Sequence, residues 1–222
     1  MVFDEHEFER CSVSEQRPAP SRDVSSFQIR LPAHWYPVPL GDGDEAHTWA
    51  TDLSSRLTAD TAASAALRER MSALQARLQR AGDITATAAV YVPWPQLGEI
   101  SCALAFELTA LEVFESPEGM QQSLNDEAAE WQPGMVFRAN RTWLRPVDAG
   151  QLVGSESLIS HREPGAPDEH VEQRTVFGVF PPSAAQLVQF VFSTQNLNAF
   201  DDMAEATEQL VASLEVTLEG AA

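Results

Sequence analysis

The clearest patterning in the chain lies near its C-terminal end. From Leu187 to Thr194 it reads L-V-Q-F-V-F-S-T, with Val188, Phe190 and Phe192 on one side and Leu187, Gln189, Val191 and Ser193 on the other. Apolar groups on both sides predict a central strand covered on both faces. After a polar turn at Gln195, Asn196 and Asn198, the residues Phe200, Met203, Thr207, Leu210, Val211 and Leu214 recur at the helical period. Glu205, Glu208 and Gln209 fall opposite them. Asn198 is the predicted N-cap, and Asp201 and Asp202 stand where the helix dipole favours carboxylates. This helix is expected to lie on the sheet as the last element.

The same reading covers the rest of the chain. Phe27, Ile29 and Leu31 alternate with Gln28 and Arg30 and predict a first strand. Pro32, Pro37 and Pro39 frame Trp35 and Tyr36, which predicts an extended segment outside the hydrogen-bond ladder, with Trp35 anchored in the core. Glu45 to Arg80 is helical. Trp49, Leu53 and Leu57 form one stripe, and Leu67, Met71, Leu74 and Leu78 a second. Thr58, Asp60, Thr61 and Ser64 supply a break and a new cap between them, so two helices are expected, with one kinked helix as the alternative. Gly82 is the expected stop.

Ile84–Val92 and Ile100–Leu108 read as a hairpin with a loop containing Pro93, Trp94 and Pro95. Pro117–Trp131 carries Met120, Leu124 and Ala128 at helical spacing. Three further strands follow, over Met135–Arg145, Leu152–Arg162 and Val171–Phe180. Short turns between neighbouring strands predict a largely antiparallel sheet. The fold class is therefore α+β, one antiparallel sheet flanked by helices on both faces. Residues 1–23, acidic and then Pro- and Ser-containing, read as a flexible leader, and 24–218 as a single domain.

Charge narrows the set of partners. The chain of 222 residues has 14 Lys+Arg against 33 Asp+Glu, a formal net charge of -19. Every basic residue is Arg. Such a charge opposes binding to nucleic acid and anionic lipid unless a local basic patch intervenes. Arg68, Arg70, Arg77 and Arg80 cluster on the second helix and read as a solvated face. The N-terminal residues show neither a positive region nor an apolar run of signal-peptide type, and no apolar run is long enough to span a membrane, so a cytoplasmic location is expected. Cys11 and Cys102, one in the leader and one in a buried strand, make neither a disulfide framework nor a metal site.

Chemistry is sparsely marked. There is no G-x-S-x-G, no G-x-G-x-x-G and no Walker loop, and Gly154-Ser155-Glu156-Ser157 lacks the second flanking glycine of a nucleophile elbow. His161, Glu163, Asp168, Glu169 and His170 are metal-capable types, but they surround a Pro/Gly-rich hairpin tip and read as solvated. Arg138, Arg141 and Arg145 on one strand are unusual in so acidic a chain. Arg141 and Arg145 share a face with Trp143 between them, and cross-strand pairing with Glu156 or Glu172 is the expected role. With Trp94 in its Pro-rich loop, these residues are the candidate partner-binding set: Trp94, Arg138, Arg141, Trp143 and Arg145. No enzymatic activity and no cofactor is expected.

Phe27-x-Ile29-x-Leu31-Pro32-x-x-Trp35 at one end, and Phe190-x-Phe192-Ser193-Thr194 with Phe200 and Met203 at the other, resemble the PsbP-like fold. More narrowly, they resemble actinobacterial proteins of that fold whose genes accompany type VII secretion or toxin clusters. The resemblance implies a non-catalytic adaptor or chaperone and carries no catalytic residues across. A protein-interaction module is the expected function. The alternative is a small-molecule or lipid-binding domain with a pocket between sheet and helices, where Ala86, Ala88, Ala103 and Ala105 leave room.

Overall fold

The computed structural model describes residues 22–80, 87–162 and 169–220. The strands are β1 (Val24–Gln28), β2 (Trp35–Val38), β3 (Thr87–Tyr91), β4 (Cys102–Ala110), β5 (Met135–Val147), β6 (Gly150–His161), β7 (His170–Phe180), β8 (Gln186–Thr194) and β9 (Glu215–Leu218). The helices are α1 (Asp44–Leu57), α2 (Thr61–Arg80), α3 (Pro117–Ala129) and α4 (Met203–Val211). Seven strands form one sheet in the order β2-β3-β4-β8-β7-β6-β5, antiparallel throughout. β1 and β9 form a separate two-stranded ribbon.

The alternation in β8 sorts the two layers. Val188, Phe190 and Phe192 join Leu104, Phe106, Phe177, Met203, Leu210 and Val211 in one core, beneath α4 and the ribbon. On the opposite face α1 and α2 cover β2 and β3 through Trp49, Leu53, Leu67 and Met71 against Val38, Ala88 and Val90. Further along that face α3 presses Met120 onto Val153, Val176 and Leu187. Three helices thus cover one face and one helix the other. Two helices stand between Asp44 and Arg80, as the stripes predict. Asp60 accepts from the backbone N–H of Ala62 and Ala63 at 2.9 Å and opens α2.

Several local expectations are corrected. The Pro-rich segment does enter the ladder: Trp35–Val38 pairs with Ala88–Tyr91 as β2. β2 is the edge strand, where the missing N–H of Pro37 can be accommodated. The first strand does not join the main sheet, because its partner is β9. The last helix starts later than predicted: Asp202, not Asn198, caps it by accepting from Glu205 N–H at 2.9 Å. It is also not the last element. Leu214 is buried beyond its end, and Glu215–Leu218 alternates as β9 along Val24–Gln28. A four-residue run is too short for its period to be told from a fraying helix by sequence alone. From the sequence, Asp42 or Asp44 is the expected cap of α1; instead Gly43, which offers no side-chain bond, stands at that position and Asp44 is the first helical residue. Gly82 and most of the predicted leader lie outside the described residues. Arg22, within that predicted leader, bridges to Ala184, and its N–H donates to Ser183 O at 2.9 Å.

A chain ending at Leu214 loses β9 and leaves β1 unpaired beside Phe106, which Phe27 contacts edge-on at 5.7 Å between centroids. The expected loss is about 2 kcal/mol or more of unfolding free energy. Urea unfolding checks it, and an unchanged midpoint would show that the ribbon adds nothing to stability.

Candidate functional site

The strand arginines stand on an edge. β5 is the outermost strand, and Arg141, Trp143 and Arg145 oppose Glu156, Gly154 and Leu152 on β6. These partners project to the α4 side of the sheet. By strict alternation Arg138 would point to the other face. The register shifts between Phe137 and Ala139, and this bulge redirects it. Its guanidinium reaches Ser160 Oγ at 2.8 Å and Glu169 at 2.7 Å. The hydroxyl of Ser160 and the Arg138 guanidinium hold the Glu169 carboxyl below its usual range.

Each of these arginines is paired. Arg141 Nε meets Glu156 at 2.6 Å, and Gln173 donates to the other oxygen of Glu156 at 2.8 Å. Arg145 meets Glu208 of α4 at 2.8 Å, while the second oxygen of Glu208 accepts from Trp143 Nε1 at 2.9 Å. The expected pairing with Glu156 holds. The expected pairing with Glu172 does not, because Glu172 belongs to the opposite face and binds Arg174, His161 and Ser193. Trp143 is gripped from three sides: Glu208 above, Phe177 edge-on at 5.9 Å, and the bare backbone of Gly154 opposite. The Arg141 guanidinium lies 5.5 Å from its ring centroid.

Trp94 sits on the other side of α4. It is 41% exposed, just before the 3₁₀ turn Pro95–Leu97. A groove of about 460 Å³ separates it from α4, floored by Tyr91 and Phe200. A second groove, of about 650 Å³, runs between α4 and β5 beside Arg141, Trp143 and Arg145. Asp202, Glu205 and Gln209 line both. The helix is therefore a low ridge between two recesses, and four of the five candidate residues border them. Arg138 does not.

A row of rings joins the recesses beneath the ridge. Phe200 stacks on Tyr91 at 5.0 Å and Tyr91 on Trp35 at 5.1 Å; Trp35 meets Phe192 at 5.8 Å, Phe192 meets Phe177 at 5.9 Å, and Phe177 meets Trp143. Sequence reading placed Phe200 on the helix and Tyr91 at a strand end and missed both as surface floor. The polar helix face Glu205-Glu208-Gln209 was legible, but not what it would border.

Other candidates fall elsewhere. The His161 and His170 rings stack at 4.9 Å. Glu163 and Asp168 lie outside the described residues, and among the described residues no three metal-ligating side chains come together. Ala88 is sealed against α1 and α2 by Trp49, Leu67 and Met71, whereas Ala103 lines an open groove beside α2. Ala86 lies outside the described residues. Cys102 is buried, and burial pushes its thiol up to about 12, against a smaller opposing contribution from the Ser193 backbone.

No protein-family model matches the chain, and no curated protein does. Among solved structures it is similar to the immunity protein TplEi of the T6SS from Pseudomonas aeruginosa, complexed with an "L" peptide, at a TM-score of 0.29 and 17% identity. The match covers 59% of this chain and 47% of that one. At that score the likeness carries no argument. No helix among the described residues is long and apolar enough to cross a membrane.

Two substitutions check this geometry. A Cβ on Gly154 would collide with the Trp143 ring. Gly154→Ala is therefore expected to cost about 1–3 kcal/mol and to shift tryptophan emission; unaltered emission and stability would contradict the packing. Burial pushes the Glu172 carboxyl up, but Arg174, Ser193 and His161 outweigh it and the net shift is downward. Its stabilisation is thus complete above the unfolded value and is lost as pH falls through the folded one. Glu172→Gln should cost about 1 kcal/mol at neutral pH and nothing in strong acid, as denaturant unfolding across pH would show.

Proposed function

We propose that this protein is a non-catalytic protein-binding module, and that the α4 ridge with its two recesses is the surface that takes the partner. The observation that supports this most is the pairing of rings and charges there. Trp94, Tyr91, Phe200 and Trp143 offer apolar area in recesses on either side of one helix, while Arg141, Arg145, Glu156 and Glu208 neutralise one another. Aromatic anchors set among already-satisfied polar groups suit recognition, because a partner gains ring burial without stranding a charge. An acid–base mechanism would need an uncommitted titratable pair instead. The narrower assignment, an adaptor or chaperone of a bacterial secretion system with the PsbP-like relationship, rests on the resemblance of the two chain ends alone.

Affinity capture from a native lysate, run in parallel with wild type, Trp94→Ala and Phe200→Ala, tests the surface. A stoichiometric partner should be retained by wild type and bound about 30-fold or more weaker by the variants, the effect of losing a central aromatic anchor. Trp131→Ala, at an exposed position beyond α3, should bind as wild type does. Equal capture by all four chains would sink the proposal.

A further inference from the structure

The arginines of α2 differ from those of β5. Arg70, Leu74, Arg77 and Arg80 recur at helical spacing and line an open groove of about 440 Å³ against Ile100 and Thr194. The groove lies on the sheet face opposite α4. Arg70 is held by the Gly98 carbonyl at 2.7 Å. Arg77 and Arg80 meet no carboxylate among the described residues. In a chain of net charge -19 this groove is lined by three arginines with Leu74 and Ile100 between them, and no carboxylate lines it among the described residues.

We propose that residues 1–9 of the same chain occupy this groove. That stretch reads M-V-F-D-E-H-E-F-E, four carboxylates interleaved with two phenylalanines, which complements both the arginines and the Leu74–Ile100 floor. A separate acidic partner would approach against the repulsion of the whole molecule, whereas a tethered segment is present at millimolar effective concentration. The tether is long enough. Arg22 is pinned beside Ala184, at the start of β8, and the groove lies at the other end of that strand, near Thr194. From Gln186 to Thr194 is about 27 Å at ~3.3 Å per residue, and residues 10–21 can reach about 40 Å. The inference goes beyond the α4 proposal and uses a different face, so each can fail without the other.

Cys11 makes the test direct. Cys102 is buried with a raised pKa, so at neutral pH a nitroxide label on the full chain goes to Cys11. Amide signals of α2 around Arg77 and of Ile100–Ala103 should lose most of their peak height, and recover in Arg77→Glu/Arg80→Glu and at high salt. A chain with Asp4→Asn, Glu5→Gln, Glu7→Gln and Glu9→Gln alters nothing in the described fold and should recover them equally. Broadening spread evenly, confined to the α4 face or unchanged in these variants would overturn the proposal. So would broadening that appears in a mixture of spin-labelled unenriched chains with unlabelled isotope-enriched ones, since the occupant would then be a second copy.

Discussion

The row of rings under α4 organises this molecule. It runs across the sheet from Phe200, in the turn before α4, through Tyr91, Trp35, Phe192 and Phe177 to Trp143, on five separate strands. Each ring contact is worth about 0.5–1.5 kcal/mol beyond simple burial. The larger consequence is geometric. Rings this bulky in register set the height at which α4 can lie, and Met203, Thr207, Leu210 and Val211 pack down onto them. The two ends of the row emerge on either side of the helix. The recesses flanking the ridge are therefore a by-product of the core: the sheet is wider than the single helix that covers this face.

Charge is arranged around that constraint. The few cations of this acidic chain are not spread evenly: on β5 each is drawn to a particular carboxylate. Glu208 ties β5 to α4 through Arg145 and Trp143 at once, and Glu156 ties β5 to β7 through Arg141 and Gln173. These bonds are partly exposed and individually modest. Together they fix the Trp143 ring and the flank of the ridge. Arg77 and Arg80 of α2 meet no carboxylate among the described residues, so the groove they line stays cationic.

The same strand also has an edge to protect. β5 is thirteen residues long and pairs only with β6. A flat edge of that length would invite pairing with other chains. The bulge at Arg138, the proline at 146 and the three arginines along the strand interrupt it. The opposite edge is guarded differently, by a strand of only four residues with Pro37 in it. Residues that stand out in the sequence as a basic strand thus serve three ends: neutralising acids, holding a ring and blunting an edge.

How much of this was legible follows from the range over which each interaction acts. Periodicity within one element is a local property, so the two faces of β8, the stripes of α1 and α2, the burial of Trp35, the antiparallel α+β class and the shared face of Arg141, Trp143 and Arg145 can all be read from the residues alone. It could not place β9, because a four-residue strand is defined by its partner, and that partner lies at the far end of the chain. It could not place Arg138, because a bulge is a property of two strands in register. It assigned Phe200 to a helix that starts three residues later, since a cap is chosen by which backbone N–H groups are left free. That Trp94 and Trp143 flank one helix, that Glu208 rather than Glu172 answers Arg145, and that the α2 arginines stand apart emerges with the packing of the elements. Each of those facts depends on pairing between elements distant in the chain, and no local pattern records which elements will meet.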